Sequence, residues 1–237
     1  MLDLPRPQAV VFDFGGVLFN WQPSKLIQSV LPHHASNDEQ ALGLASQVFE
    51  SFVPGSDWSE FDRGALSWDE VLNRIAARTG LPSVDVNSLM EAIPPHLAPM
   101  PDTVSWLNRL TEAGTRLHFL SNMPRPYKDY LLREHAFLKR FQSGVFSCDV
   151  GQIKPNADIF HTAAQRFEVA QPERIVRCLH EYPSELFERL LPAAYAGHGD
   201  DLAVFDEEIE IGRIHFRIRI DQGFIDRVQR QIGRASC

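Results

Sequence analysis

Apolar residues in this chain follow two rhythms. Gln8-Ala9-Val10-Val11-Phe12-Asp13-Phe14 is a continuous apolar run closed by Gly15-Gly16, the pattern of a strand buried on both faces that ends in a tight turn. Asp13 then stands at the carboxyl end of that strand, where open α/β sheets bind ligands. From about Trp21 to Met100 the spacing turns helical, interrupted by Pro and Gly. The clearest helix there opens on a capping box of Ser67 and Glu70, with Leu66 placed to staple onto Val71. It continues through Leu72, Ile75 and Ala76 and stops at Gly80. Residues 21–100 exceed what one crossover between parallel strands requires, so a helical insertion, a cap, is expected there.

Strand and helix then alternate. Val104, Leu107 and Leu110 mark a helix over Pro101 to Gly114, and Leu117-His118-Phe119-Leu120 a strand ending at Ser121-Asn122. A helix over roughly Pro126 to Leu138 leads to a strand at Gly144-Val145-Phe146-Ser147-Cys148 and a loop carrying Lys154-Pro155. The next helix starts at Asn156 as N-cap and buries Ile159, Phe160, Ala163, Ala164 and Phe167, and Arg174-Ile175-Val176 begins a fourth strand. The alternation predicts a Rossmann-like, doubly wound parallel sheet of the α/β class with the helical cap inserted after the first strand. Residues 1–20 and 101–176 form the core, 21–100 the cap, and 177–237 a tail of different character. In that tail Glu185 to Leu191 reads as helical, while Ile209-Glu210-Ile211 and Ile214 to Ile220 alternate like a hairpin.

Composition narrows the function classes. The 237 residues are 44% hydrophobic and 23% charged, as in a globular protein, and hold no apolar run long enough to span a bilayer. Met1-Leu2-Asp3-Leu4-Pro5 lacks the features of a signal peptide, so a cytoplasmic location is expected. The three cysteines, Cys148, Cys178 and Cys237, have neither disulfide-framework nor zinc spacing. A net charge of -8 argues against nucleic acid as a partner. No membrane partner is expected either, and a small anionic substrate would need local positive charge.

Three strand ends supply that chemistry. Asp13 is a candidate nucleophile, able to form a covalent ester that water later hydrolyses. Ser121 and Asn122 can donate hydrogen bonds to a transferring group, and Lys154 adds a compact cation. Gly15 and Gly16 permit close approach of the backbone and a nest of N–H groups for an anion. Taken singly, Asp13 and Ser121-Asn122 would be turn or cap residues and Lys154 a loop lysine; their combination gives them meaning.

Val11-Phe12-Asp13-Phe14-Gly15-Gly16-Val17-Leu18, Leu120-Ser121-Asn122 and Gly151-Gln152-Ile153-Lys154-Pro155 resemble, in order and spacing, the first three motifs of haloacid dehalogenase-like hydrolases. The resemblance implies Asp13 as nucleophile, Ser121 and Lys154 on the substrate, and in phosphatases a magnesium ion with Asp13 among its ligands; dehalogenases need no cofactor. A phosphatase for a small phosphorylated metabolite is the leading expectation, and a 2-haloacid dehalogenase using the same nucleophile the alternative. The chain departs from the family twice. Gly15 stands where phosphatases usually carry a second aspartate as general acid and base, a departure shared with dehalogenases and some phosphatases. After Val176, where a pair of metal-binding acids is expected, the chain reads Arg177-Cys178-Leu179-His180; Glu181 lies near, and Asp200-Asp201 only imitates the missing motif. A change of reading frame or an annotation error near codon 176 would account for this, which sequencing the gene decides, and a catalytically impaired remnant lacking the fourth motif is a further alternative. His33-His34 reads as solvated, and Trp21, Trp58 and Trp68 as core of the cap in preference to lining of a pocket.

Overall fold

The structure, a computed structural model, describes residues 9–168 and the backbone of strands 175–178, 208–211 and 214–217. Strand β1 (Ala9–Phe12) is buried along its whole length. The turn after it is closed by one carbonyl: Phe14 O accepts the N–H groups of Val17, Leu18 and Phe19 at 3.2, 2.9 and 2.9 Å. Gly16 has φ 71°, a left-handed conformation that side chains resist, which is why glycine is needed there. The chain is then drawn against its own later segment. Asn20 N–H donates to Ala98 O, and Met100 N–H to Leu18 O, both at 2.8 Å.

Between these two points lie five helices: α1 (Pro23–Val30), α2 (Asp38–Phe49), α3 (Asp57–Asp62), α4 (Trp68–Thr79) and α5 (Ser83–His96). Their starts are written in the sequence. Asn37 caps α2, Ser56 caps α3, and Ser67 with Glu70 forms the expected capping box of α4, which ends at Gly80 with φ 72°. Aromatic packing holds the group together, with the Trp58 ring 4.7 Å from Phe49 and 5.7 Å from Phe61.

The α/β alternation follows: α6 (Pro101–Glu112), β2 (Arg116–Ser121), α7 (Arg125–Glu134), β3 (Ser143–Phe146), α8 (Ser147–Val150), α9 (Ala157–Arg166) and β4 (Ile175–Cys178). The strand order is β3-β2-β1-β4, and β2 and β3 run parallel from His118↔Ser143 to Ser121↔Phe146. This is the Rossmann-like parallel sheet that the alternation predicts. Beneath the β1 turn, the Phe14 ring lies 5.0 Å from Phe119, 5.2 Å from Phe146 and 5.3 Å from Phe19. Each such pair contributes about 0.5–1.5 kcal/mol beyond simple burial. The floor of the strand end is therefore stiff.

Three details differ from the sequence reading. The helix expected to reach Leu138 stops at Glu134, because His135 takes φ −116° and ψ 90°, and Ala136–Arg140 coils as a 3-10 turn. Ser147 and Cys148 leave the strand and begin α8, with Ser147 Oγ accepting the Met123 N–H at 2.8 Å. Asn156 occupies the N-cap position of α9 without a side-chain cap bond. Strands β5 (Glu208–Ile211) and β6 (Ile214–Arg217) form an antiparallel pair from Glu208↔Arg217 to Ile211↔Ile214, the expected hairpin. The helix expected at Glu185 to Leu191 and the hairpin's last residues, 218–220, lie outside the described residues. No helix among the described residues is long and apolar enough to cross a membrane.

Candidate active site

Asp13 follows the last residue of β1, so the strand delivers its carboxylate to the carboxyl edge of the sheet. One oxygen, Oδ1, accepts the Phe14 N–H at 2.7 Å, and the other forms an ion pair with Lys154 Nζ. Lys154 also donates to Leu120 O at 3.2 Å, which ties the ammonium to the end of β2. The expected juxtaposition of Asp13 and Lys154, 141 residues apart in sequence, is therefore present.

Asn122, at the cavity as expected, also holds the neighbouring loop. Its Oδ1 accepts the Lys154 N–H at 2.9 Å and its Nδ2 donates to Lys154 O at 3.0 Å. Each end of the amide bonds the Lys154 peptide, so Asn122 positions the lysine while also lining the cavity. Ser121, only 1% exposed, carries the hydroxyl at the strand end; its contact to Asn122 O is long, at 3.4 Å. The anion nest expected of the glycines does not form as drawn from sequence. Gly16 N–H is taken by Phe19 O at 2.7 Å, and Gly15 alone of the two borders the cavity.

That cavity, of about 360 Å³, has Asp13, Gly15, Ser121, Asn122 and Lys154 at its polar end. Its walls are apolar: Trp21, Phe52, Trp58, Ile93, Leu97, Met123, Pro124 and Tyr127. Trp58 packs in the core of the cap as expected, 3% exposed, and also borders the pocket, while Trp21 lines the pocket beside Phe49 and Phe52. Trp68 does pack, 6.2 Å from Phe61, and donates Nε1–H to Asn87.

Sequence reasoning missed Asp62. This last residue of α3 is 6% exposed, lines the same cavity, and has its carboxyl pushed up to about 8, chiefly by burial. The Lys154 charge works against that rise and the Asp13 charge adds to it. Burial, and then the Asp62 charge, also holds the Tyr127 phenol well above its ordinary value, and its hydroxyl donates to Met90 O at 3.0 Å. A signal existed: Asp62 lies four residues after Trp58, on the buried face of α3. Ser147 was missed too. Its Oγ accepts the Met123 N–H and donates to Asp62 O at 2.5 Å, joining the end of α3 to the segment after β2.

Two other candidates fall outside the site. His33 and His34, expected to be solvated, both turn Nε2 to Asp85 Oδ2, at 3.4 and 2.8 Å, and none of the three lines the cavity. Cys148 is a free thiol pushed up to about 11, first by burial and then by Asp149, which leaves it inert as a nucleophile.

Among the described pocket residues only Asp13 and Asp62 carry carboxyl groups. Asp13 is already paired with a lysine, and Asp62 is held toward its neutral form. Mg2+ demands a near-octahedral shell of oxygens, so these two groups do not by themselves make its site. Leu179, His180, Glu181, Asp200 and Asp201 lie outside the described residues.

Comparisons with known proteins agree with this architecture. A family model described as haloacid dehalogenase-like hydrolase matches residues 7–176, ending where the motif agreement lapses in the sequence. The sesquiterpene phosphatase astK of Aspergillus oryzae is 24% identical over 169 residues, 71% of this chain and 78% of that protein. Among solved structures, a HAD family enzyme, bt-2542 of Bacteroides thetaiotaomicron in complex with magnesium and inorganic phosphate, superposes with a TM-score of 0.55 at 15% identity, covering 82% of this chain and 94% of that one. The L-2-haloacid dehalogenase of Xanthobacter autotrophicus with chloropropionic acid covalently bound gives 0.52 at 19% identity, over 72% and 68%. At these identities the likeness of the structures is one of fold.

Proposed function

This chain belongs to the haloacid dehalogenase-like hydrolase family, and from that premise we propose that it is a phosphatase for a small phosphorylated compound with an apolar carbon body, working through an aspartyl-phosphate on Asp13. The observation that carries the reading is the Asp13–Lys154 pair beside the Ser121 hydroxyl, at the polar end of a cavity whose remaining walls are aromatic and aliphatic. A carboxylate held by Phe14 N–H on one oxygen and by Lys154 on the other has a fixed rotamer. Attack on a phosphoryl group then needs little reorganisation. Lys154 neutralises charge on the phosphoryl oxygens, and Ser121 donates a hydrogen bond to one of them.

The segment α1–α5 acts as the cap in this reading. Residues 21–100, which contain these helices, supply Trp21, Phe52, Trp58, Ile93 and Leu97 to the wall, which suits a hydrocarbon or aryl group better than a sugar whose hydroxyls would go unpaired. The resemblance to a sesquiterpene phosphatase points the same way. Magnesium is the cofactor this reading carries, and Asp13 would be one of its ligands; Asp13 and Asp62 alone do not complete its shell.

The test is phosphate release from a panel of prenyl, alkyl, aryl and sugar monophosphates with magnesium present. Apolar esters should be preferred, and Asp13→Asn should abolish turnover; full activity in that variant would refute the assignment. One feature favours a second reading. Gly15 in place of a second aspartate is shared with 2-haloacid dehalogenases, and metal-independent halide release from 2-chloropropionate would select that reading.

A further inference from the structure

The phosphatase reading leaves a proton unassigned. An alkoxide leaving group must be protonated and the attacking water deprotonated, yet Gly15 offers no side chain for either task. Among the described residues Asp62 is the other carboxyl group at the cavity, and it reaches the site from α3, far from the nucleophile in sequence. We propose that Asp62 is the general acid and base of this site, supplied by the helical segment in place of a carboxyl group two residues after Asp13.

The placement is built from contacts. Ser147 Oγ donates to Asp62 O at 2.5 Å and accepts Met123 N–H at 2.8 Å, so a single hydroxyl ties the end of α3 to the residues that follow Ser121. Two residues on, Gly64 has φ 78°, and a Cβ there would stand 3.1 Å from Cys148 O. The chain after α3 is thus pressed directly against α8. Among the described residues no side chain hydrogen-bonds the Asp62 carboxyl, although it faces the cavity shared with Asp13 and Lys154. Trp58 and Tyr127 supply apolar surroundings, which is the environment that keeps a carboxyl group protonated and ready to donate.

The steps balance. As an Asp13 oxygen bonds to phosphorus, the bond from phosphorus to the leaving oxygen breaks and that oxygen takes the Asp62 proton. Water then attacks the aspartyl-phosphate while the Asp62 carboxylate takes one of its protons. The bond between phosphorus and Asp13 breaks, releasing inorganic phosphate and restoring both carboxyl groups to their starting states.

This inference rests on the phosphatase reading, and Asp13→Asn run alongside separates the two. With 4-nitrophenyl phosphate, whose leaving group needs no acid, Asp62→Asn should release one equivalent of nitrophenolate in a burst and then turn over at least about a hundredfold more slowly than wild type. With hexyl phosphate the burst should vanish and turnover fall by a similar factor or more, while Asp62→Glu should recover part of the rate. Wild-type turnover of both esters by Asp62→Asn, or equal losses without a burst, would overturn the role of Asp62 even if Asp13→Asn is dead. A crystal structure with orthovanadate on Asp13 judges the same point without turnover. Asp62 Oδ within hydrogen-bond distance of the apical oxygen supports it, and a carboxyl turned away from that oxygen overturns it.

Discussion

Asp62→Asn should make the protein more stable, by an amount that depends on pH. Burial lifts the folded-state carboxyl from its usual 3.8 to about 8, so between those values the folded protein keeps a proton that the unfolded chain has released. The sign follows from linkage: stability is fully present below pH 3.8 and drains away as pH rises toward 8. Each pH unit in that window costs about 1.4 kcal/mol, which accumulates to roughly 4 kcal/mol at pH 7. Such a loss is a large part of the 5–15 kcal/mol that holds an ordinary domain together. Asparagine has nearly the shape of the neutral acid and never ionises, so it removes this cost. Urea unfolding of wild type and variant at intervals from pH 4 to pH 8 provides the assay. The two should converge near pH 4, and the variant should lead by several kcal/mol at pH 7. A difference that stays flat across the range would refute the reasoning, because it would mean the carboxyl ionises as readily in the folded chain as in the unfolded one.

Further expectations come from the polar contacts around the site. Asn122→Ala removes both hydrogen bonds between the Asn122 side chain and the Lys154 peptide, so turnover should fall with little change in KM, and stability should drop by about 1–3 kcal/mol; unchanged kinetics would remove Asn122 from the positioning role. Ser147→Ala leaves the buried Met123 N–H and the Asp62 carbonyl without their partner. It should cost about 1–3 kcal/mol in chemical denaturation and slow hexyl phosphate more than 4-nitrophenyl phosphate at the burst step. His118, 3% exposed on β2, is held below its ordinary 6.5, first by burial and then by the Arg116 charge. The unfolded chain therefore gains the proton first as pH falls, and the stability tied to neutral His118 is present above about 6.5 and lost below it. A His118→Gln variant should lose less stability than wild type between pH 7 and pH 5, and identical losses would count against the argument.

The parts of the site that could be read from sequence are those fixed by single strands. Asp13 ends an apolar run and Ser121 ends another, so reading both runs as buried parallel strands delivers both residues to one edge. Lys154 required one step more, a loop returning to that edge, and the ion pair with Asp13 shows the loop does return. Boundaries failed where a backbone turn has no composition signal: nothing in Glu134-His135-Ala136 announces the extended His135, and Ser147 reads as strand until its hydroxyl is seen bonding across to Met123.

Asp62 was hidden for a different reason. Its importance comes from where α3 is pinned, and the pin is a hydroxyl from another segment with a glycine pressed on the next backbone. Sequence spacing gives helix faces but not what lies opposite them. An acid on the buried face of a short aromatic helix is nevertheless a conflict in the local pattern, and conflicts of that kind concentrate at functional sites because they cost stability elsewhere unrewarded. The same burial that makes Asp62 expensive keeps its proton available near neutral pH. The stability gained and the activity lost in Asp62→Asn are thus two readings of one buried carboxyl group, and both should follow its environment when Trp58 is made smaller and water is let in.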